Sequence, residues 1–143
     1  MRPSADRLVA ERFPRRMPVP VRFADMDMFR HLNNVAAGQF YEEGRFAILA
    51  EANARVPREE RRSLVVASVH TTFLGTARYP GKIDVCTGIV EVGIKSFVIG
   101  QSLFVEQRCI GTADTTVVAT DPDGACPLPA VLVVYLQTLL ITP

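Results

Sequence analysis

Residues 21–54, VRFADMDMFRHLNNVAAGQFYEEGRFAILAEANA, hold the one long helix that the sequence predicts and the polar loop that leads into it. From Val35 to Ala54, the residues Ala36, Ala37, Phe40, Gly44, Ala47, Ile48 and Glu51 recur at three- and four-residue steps, and all but the last are apolar or small. That is the stripe of a helix buried along one face. Glu42, Glu43 and Arg45 fall mostly off it. Asn33 or Asn34 can cap its start, because an Asn side-chain oxygen accepts from the free N–H groups of a first turn. Pro57 blocks easy continuation, and residues 56–62 (VPREERR) read as a charged surface connector. Gly38 and Gly44 each cost roughly 1 kcal/mol against Ala inside a helix. They make sense where another backbone approaches closely.

Downstream of this helix the chain is strand-rich. Residues 64–74 (LVVASVHTTFL), 83–92, 96–107 and 111–120 are strand candidates. They are separated by Tyr79-Pro80-Gly81, by Gly93 and, at the end, by Asp121-Pro122-Asp123-Gly124. In 96–107, Phe97, Ile99, Leu103 and Val105 alternate to one side, with Gln101 the exception. Residues 128–141 are apolar nearly all round, and Pro129 at a first helical position favours a helix there. The segment carries no charge, so it is expected to pack against a partner subunit.

Upstream, residues 19–23 (VPVRF) form a short strand candidate, with Pro20 at its start or on an edge. Residues 1–18, broken by Pro3, Pro14 and Pro18, read as an N-terminal arm or strand lead-in laid on the surface. Successive strands joined by short turns are antiparallel, and a sheet with one apolar face needs a cover. The fold class is therefore α+β: one antiparallel sheet with one long helix across it.

A chain of 143 residues, 48% apolar and 22% charged, suits a single domain spanning 1–143. Its formal net charge of +1 gives no electrostatic footprint for nucleic acid. No run of about 18 apolar residues exists, so no membrane-spanning helix is expected. Residues 1–16 carry five arginines and lack the apolar core of a secretory signal, which favours the cytoplasm. Cys86, Cys109 and Cys126 are odd in number with no C-x-x-C pair, so they are read as reduced and mostly buried.

The chemistry concentrates in Asp25, Asp27, His31, Asn33 and Asn34. D-x-D with a nearby His could hold Mg²⁺ or Ca²⁺, but no third acidic ligand, central Gly or terminal Glu follows at calcium-loop spacing. A catalytic reading is sharper. A carboxylate stands just before a helix whose first-turn N–H groups are unpaired and carry the positive end of the dipole. Such N–H groups can hold a developing oxyanion, while the carboxylate attacks an acyl carbon or activates water. His70, in a strand between Val69 and Thr71, reads as a sheet histidine.

VRFADMDMFRHLNN, followed by FYEEGR, resembles the 4-hydroxybenzoyl-CoA thioesterase-like branch of the hotdog-fold acyl-CoA thioesterases. The likeness continues through residues 73–85 (FLGTARYPGKIDV), 93–104 (GIKSFVIGQSLF) and 123–129 (DGACPLP). It implies a hotdog fold, a curved antiparallel sheet wrapped around the long helix. It implies hydrolysis of an acyl-CoA thioester to free acid and coenzyme A, with no metal and no cofactor beyond the coenzyme A of the substrate. Asp27 would be the nucleophile or general base, and the backbone N–H near Asn34 would polarise the carbonyl. His31 and Asn33 would orient carboxylate, water or substrate. Lys95 and Ser96, with a neighbouring subunit, would meet coenzyme A, as would Arg78 in the preceding turn. Glu43 and Arg45 match helix positions that are structural.

The resemblance also implies a homodimer paired edge to edge, assembled to a homotetramer, with the site at the interface. Relatives carry a Tyr or similarly bulky group where this chain has Ala37, which widens the pocket or changes the acyl group accepted. Two alternatives are a non-catalytic module binding acyl-CoA or a partner protein, and a thioesterase acting on acyl carrier protein. A hotdog dehydratase is disfavoured, because no H-F-P segment is present. The pocket floor is expected to draw on Phe40, Phe73 and Phe97.

Overall fold

The computed structural model describes residues 2–143. Strand β1 (Arg15–Pro20) is followed by helix α1 (Asn34–Ala54) and strands β2 (Ser63–Phe73), β3 (Lys82–Val92), β4 (Ser96–Val105) and β5 (Arg108–Asp121). A two-residue strand β6 (Gly124–Ala125) and a short helix α2 (Ala130–Gln137) complete the chain. The strands form one antiparallel sheet in the order β1-β3-β4-β5-β2, with β6 on β5. The sheet curls around α1, which is the hotdog architecture the sequence implied.

Strand β2 does not pair with β3, although they are consecutive. The segment 74–81 carries the chain across to β3, and β2 lies on the far edge against β5 with Ser63 opposite Thr120 and Phe73 opposite Gly111. The first strand starts at Arg15, ahead of Val19, and its register runs Arg15 to Thr87 through Pro20 to Lys82. Residues 15–18 are therefore sheet, and the arm is shorter than the sequence suggested. Strands β4 and β5 meet in a two-residue turn, Glu106-Gln107, with Val105 opposite Arg108. Glu106 sits at φ 56, the left-handed conformation that tight hairpins need at their first central residue.

The helix lies so close to the sheet that Gly44 is obligatory. A Cβ there would stand 2.6 Å from Gln101 Nε2 and from Val85 Cγ1, and 2.7 Å from Thr87 Oγ1. Gly38 meets nothing within 4 Å and has no such reason. The buried face of α1 comprises Ala36, Ala37, Phe40, Tyr41, Gly44, Ile48 and Ala52, while Ala47 is exposed. Gln101 belongs to the inner face after all. It is fully buried, and its amide donates to Tyr41 O at 2.8 Å and to Thr87 Oγ1 at 3.1 Å.

Two apolar clusters fill the space between helix and sheet. One joins Phe40 and Tyr41 to Ile83, Val85, Leu103 and Ile110; the other joins Ile48 and Ala52 to Phe97, Ile99, Val117 and Leu136. Helix α2 packs one face on its own chain through Leu132, Tyr135 and Leu136, and leaves Val131 and Val134 exposed.

The outer face of the sheet is covered by both ends of the chain. Ala10 and Phe13 pack with Cys86 and Phe104. Arg7, also buried, pairs with Asp114 and donates to Gln101 O and Ala113 O, each at 3.0 Å. Gly88 and Gly100 leave the space that Ile141 occupies, and the Thr142 N–H donates to Arg12 O at 3.0 Å. No helix of the described residues is long and apolar enough to cross a membrane.

Candidate active site

The D-x-D loop is folded by its own polar groups. The Asp27 N–H donates to His31 O, the Arg30 N–H returns to Asp27 O, and Arg30 takes φ 62 to close the turn. The two aspartates then part company. Asp25 is buried, 2% exposed, and accepts from Arg22 N at 2.7 Å and from the Arg22 guanidinium at 2.8 Å. Burial alone would raise its carboxyl, but the Arg22 hydrogen bonds and charge prevail and hold it below the usual carboxylate range. Asp27 is half-buried. Its Oδ1 accepts from Phe29 N at 2.9 Å and from His31 N at 3.1 Å, while its second oxygen has no partner among the described residues. No three His, Cys, Asp or Glu groups come together as metal ligands among the described residues.

Asn33 is the helix cap, its Oδ1 accepting from Val35 N at 2.8 Å, so its side chain serves the helix rather than the pocket. Helix α1 opens at Asn34. The Asn33 carbonyl takes the Ala37 N–H, and the Asn34 N–H has no acceptor among the described residues. Asp27, His31 and Asn34 share a cavity of about 170 Å³, floored by Leu32, Ala37, Tyr41, Phe73, Leu103 and Ile110. Ala37 thus does face the pocket, and Phe73 contributes to it. Phe40 shares a cluster with Tyr41, Leu103 and Ile110 but does not line the cavity, and Phe97 belongs to the cluster at the other end of the helix.

Sequence reasoning passed over three members of this site. Thr76 accepts from the Leu32 N–H at 3.0 Å and so ties the β2–β3 crossover to the D-x-D loop. Gly111 lines the cavity opposite Tyr41. Tyr41 itself is 1% exposed, and burial pushes its hydroxyl's pKa up, so the phenol stays neutral. It lies beside the predicted stripe of α1, because a sheet that wraps the helix buries more than one narrow face.

The coenzyme A candidates are spread out. Arg78 is exposed in a groove of about 590 Å³ that also involves Lys82, Glu106 and Arg108, and Thr76 borders both this groove and the Asp27 cavity. Arg78 forms no ion pair among the described residues, whereas Lys82 lies 3.9 Å from Asp84. Lys95 and Ser96 are at the β3–β4 hairpin, the length of β4 away from Leu103 at the cavity. Within one chain they do not reach Asp27. His70 lies on the exposed edge strand β2, opposite Asp114 and outside the cavity.

No curated protein matches this sequence significantly. Solved structures do resemble the fold. A predicted thioesterase from Bacillus stearothermophilus is 20% identical with a TM-score of 0.79, covering 90% of this chain and 97% of its own. A thioesterase from Thermus thermophilus, solved with coenzyme A and Zn, is 23% identical with a TM-score of 0.79, covering 93% and 99%. A gentisyl-coenzyme A thioesterase is 17% identical with a TM-score of 0.73, covering 85% and 99%. The family model described as the thioesterase-like superfamily matches residues 21–136, from just after β1 into the last turn of α2, and the chain belongs to that superfamily.

Proposed function

We propose that this chain hydrolyses acyl-CoA thioesters, with Asp27 as the reacting carboxylate and the Asn34 N–H as the donor to the carbonyl oxygen. The observation that carries the reading is their meeting in one apolar-floored cavity, with an Asp27 oxygen and the Asn34 N–H both unpaired among the described residues. An N–H at a helix start, aimed where negative charge develops, stabilises a tetrahedral intermediate by a few kcal/mol. The free Asp27 oxygen either attacks the thioester carbon, expelling the coenzyme A thiolate and leaving an anhydride that water cleaves, or draws a proton from the attacking water. The two bonds to Oδ1 hold the carboxylate in one orientation, so little ordering remains for the reaction itself. His31, whose side chain is exposed at the cavity mouth, is placed to order water.

The reading includes a second copy of the chain. An antiparallel pairing of the free β2 edge with its counterpart brings the far end of the second sheet, with Lys95 and Ser96, beside the Asp27 end of the first. Arg78 supplies a further cation for the coenzyme A phosphates from the groove that shares Thr76. Phe23, Met28, Phe29 and Val35 leave apolar surface exposed around the loop, as expected of a site covered by a neighbouring chain.

One observation favours a module that binds acyl-CoA without cleaving it. The Asp27 carboxylate closes its own loop, a role that needs no chemistry. Asp27→Asn separates the two readings, because the amide oxygen can keep both loop bonds. Thiol release from short, long and aromatic acyl-CoAs should fall at least about 100-fold in Asp27→Asn, with the melting temperature unchanged. A wild type that binds these esters and releases no thiol would establish the binding module instead.

A further inference from the structure

The two groups proposed to act on the thioester sit at the two ends of one loop, so the seating of that loop decides their geometry. Asp27 lies near its start, and the Asn34 N–H closes it. Hydrogen bonds within the loop make it a compact turn. The Asp27 N–H donates to His31 O, Asp27 Oδ1 accepts from Phe29 N and His31 N, and the Asn33 N–H donates to Asp25 O. None of these fixes the turn to the wall of the cavity. Met26 and Leu32 pack on the apolar cluster around Tyr41 and Ile83, a contact without direction. One directed tie remains. The Leu32 N–H donates to Thr76 Oγ1 at 3.0 Å, across 44 residues of sequence. Among the described residues it is the only hydrogen bond that joins residues 25–34 to any part of the chain beyond residue 54. Thr76 is itself held in place. Its carbonyl accepts from Arg108 Nη2 at 3.2 Å, its hydroxyl donates to Ala77 O at 3.3 Å, and the Leu74 and Gly75 N–H groups both donate to Ile110 O at 3.0 Å. The crossover is therefore pinned at 74–76 to β5, which supplies Ile110 and Gly111 to the cavity.

We propose that Thr76 is a positioning residue: its hydroxyl sets the D-x-D loop where Asp27 and the Asn34 N–H reach the same thioester carbonyl. The inference rests on the proposed hydrolysis at this cavity. Leu32 lies between His31, whose carbonyl takes the Asp27 N–H, and Asn33, whose side chain caps α1. A tie at Leu32 thus acts on both halves of the site at once. Removing it leaves the turn's own bonds and the packing of Leu32, so the loop stays folded and stays near its place. What is lost is direction. Reaction rates are steep in such displacements, and a misplacement of about 1 Å costs on the order of 100-fold. Thr76 lines the cavity, but its one hydroxyl proton goes to Ala77 O and its oxygen takes the Leu32 N–H, so substrate binding makes no call on it. The effect of losing the hydroxyl therefore falls on kcat rather than on KM.

The test compares Thr76→Val, which keeps the side-chain shape and removes the acceptor, with Thr76→Ser, which keeps the hydroxyl. On an acyl-CoA that the wild type cleaves, kcat should fall about 10- to 100-fold in Thr76→Val with KM within about twofold, and Thr76→Ser should stay within about threefold of wild type. Hydrogen exchange on the full chain, read by mass spectrometry, should be roughly tenfold faster at residues 26–34 in Thr76→Val and unchanged in Thr76→Ser. Equal losses in the two variants, an unchanged kcat in Thr76→Val, or a rise in KM alone overturns the positioning role. Where Thr76→Val does not fold, Thr76→Ala removes the same acceptor and is read in the same way. A wild type that cleaves no acyl-CoA removes hydrolysis; faster exchange in Thr76→Val then still assigns the seating of the loop to Thr76, and unchanged exchange removes both.

Discussion

Two carboxylates two residues apart in one short loop end in different environments, and the partner of each decides its use. Arg22 reaches back to Asp25 with backbone and side chain, so Asp25 braces the turn into the loop and is unavailable to substrate. Its folded carboxyl lies below the ordinary 3.8. A depressed value contributes stability that is complete above the unfolded pKa and is lost as pH falls through the folded one. Asp25→Asn should therefore melt below wild type at neutral pH, with the gap closing on acidification below about pH 4. Thermal melts across that range check the sign; a gap that widens in acid would contradict the Arg22 pairing. The D-x-D-x-x-x-H-x-N-N spacing made Asp27, His31 and the cap at Asn33 legible in the sequence. Tyr41 was illegible, because it reaches the cavity only beside Gly111, seventy residues downstream, where a Cβ would lie 2.8 Å from its hydroxyl.

At the scale of elements, the two glycines of α1 have opposite reasons to exist. Gly44 touches the inner face of the sheet, and Gly44→Ala forces a methyl into Gln101 and Val85, an overpacking that costs about 1–3 kcal/mol. Gly38 faces open space, so Gly38→Ala should gain roughly 0.5–1 kcal/mol from helix propensity alone. Chemical denaturation of the pair measures both; equal effects would mean that α1 does not press on β3 and β4 at Gly44. The element order and most strand centres followed from alternation and turn residues. The Glu106-Gln107 hairpin did not, since neither residue is the Gly or Asn that usually marks a left-handed turn. The place of β2 also escaped, because a short connector between strands reads as a hairpin, and only the closed sheet shows that 74–81 crosses to β3. Gln101 broke its strand's pattern for a packing reason, its amide being needed between the Tyr41 carbonyl and Thr87.

For the whole molecule, the two edges of the sheet are not equivalent. Strand β1 carries Pro18 and Pro20, which lack N–H donors, and it is short. Strand β2 is 11 residues long, free of proline, and exposes Val65, Val66 and Val69, the last at 49%. Pairing of two copies along β2 should give a dimer by light scattering, and Val69→Glu, which sets like charges across that seam, should give a monomer with lowered activity. A wild type that remains monomeric at working concentration would remove the second copy from the site. The same topology has a consequence for the chain as it is made. During synthesis β2 leaves the ribosome long before β5, its only partner within the chain, and two further strands must be translated in between. Its valines therefore wait uncovered for their own chain to finish and, in the proposed dimer, for a second chain to arrive. The nascent protein is most prone to aggregate in that interval, and the segment a chaperone would shield first is the one proposed as the seam between subunits.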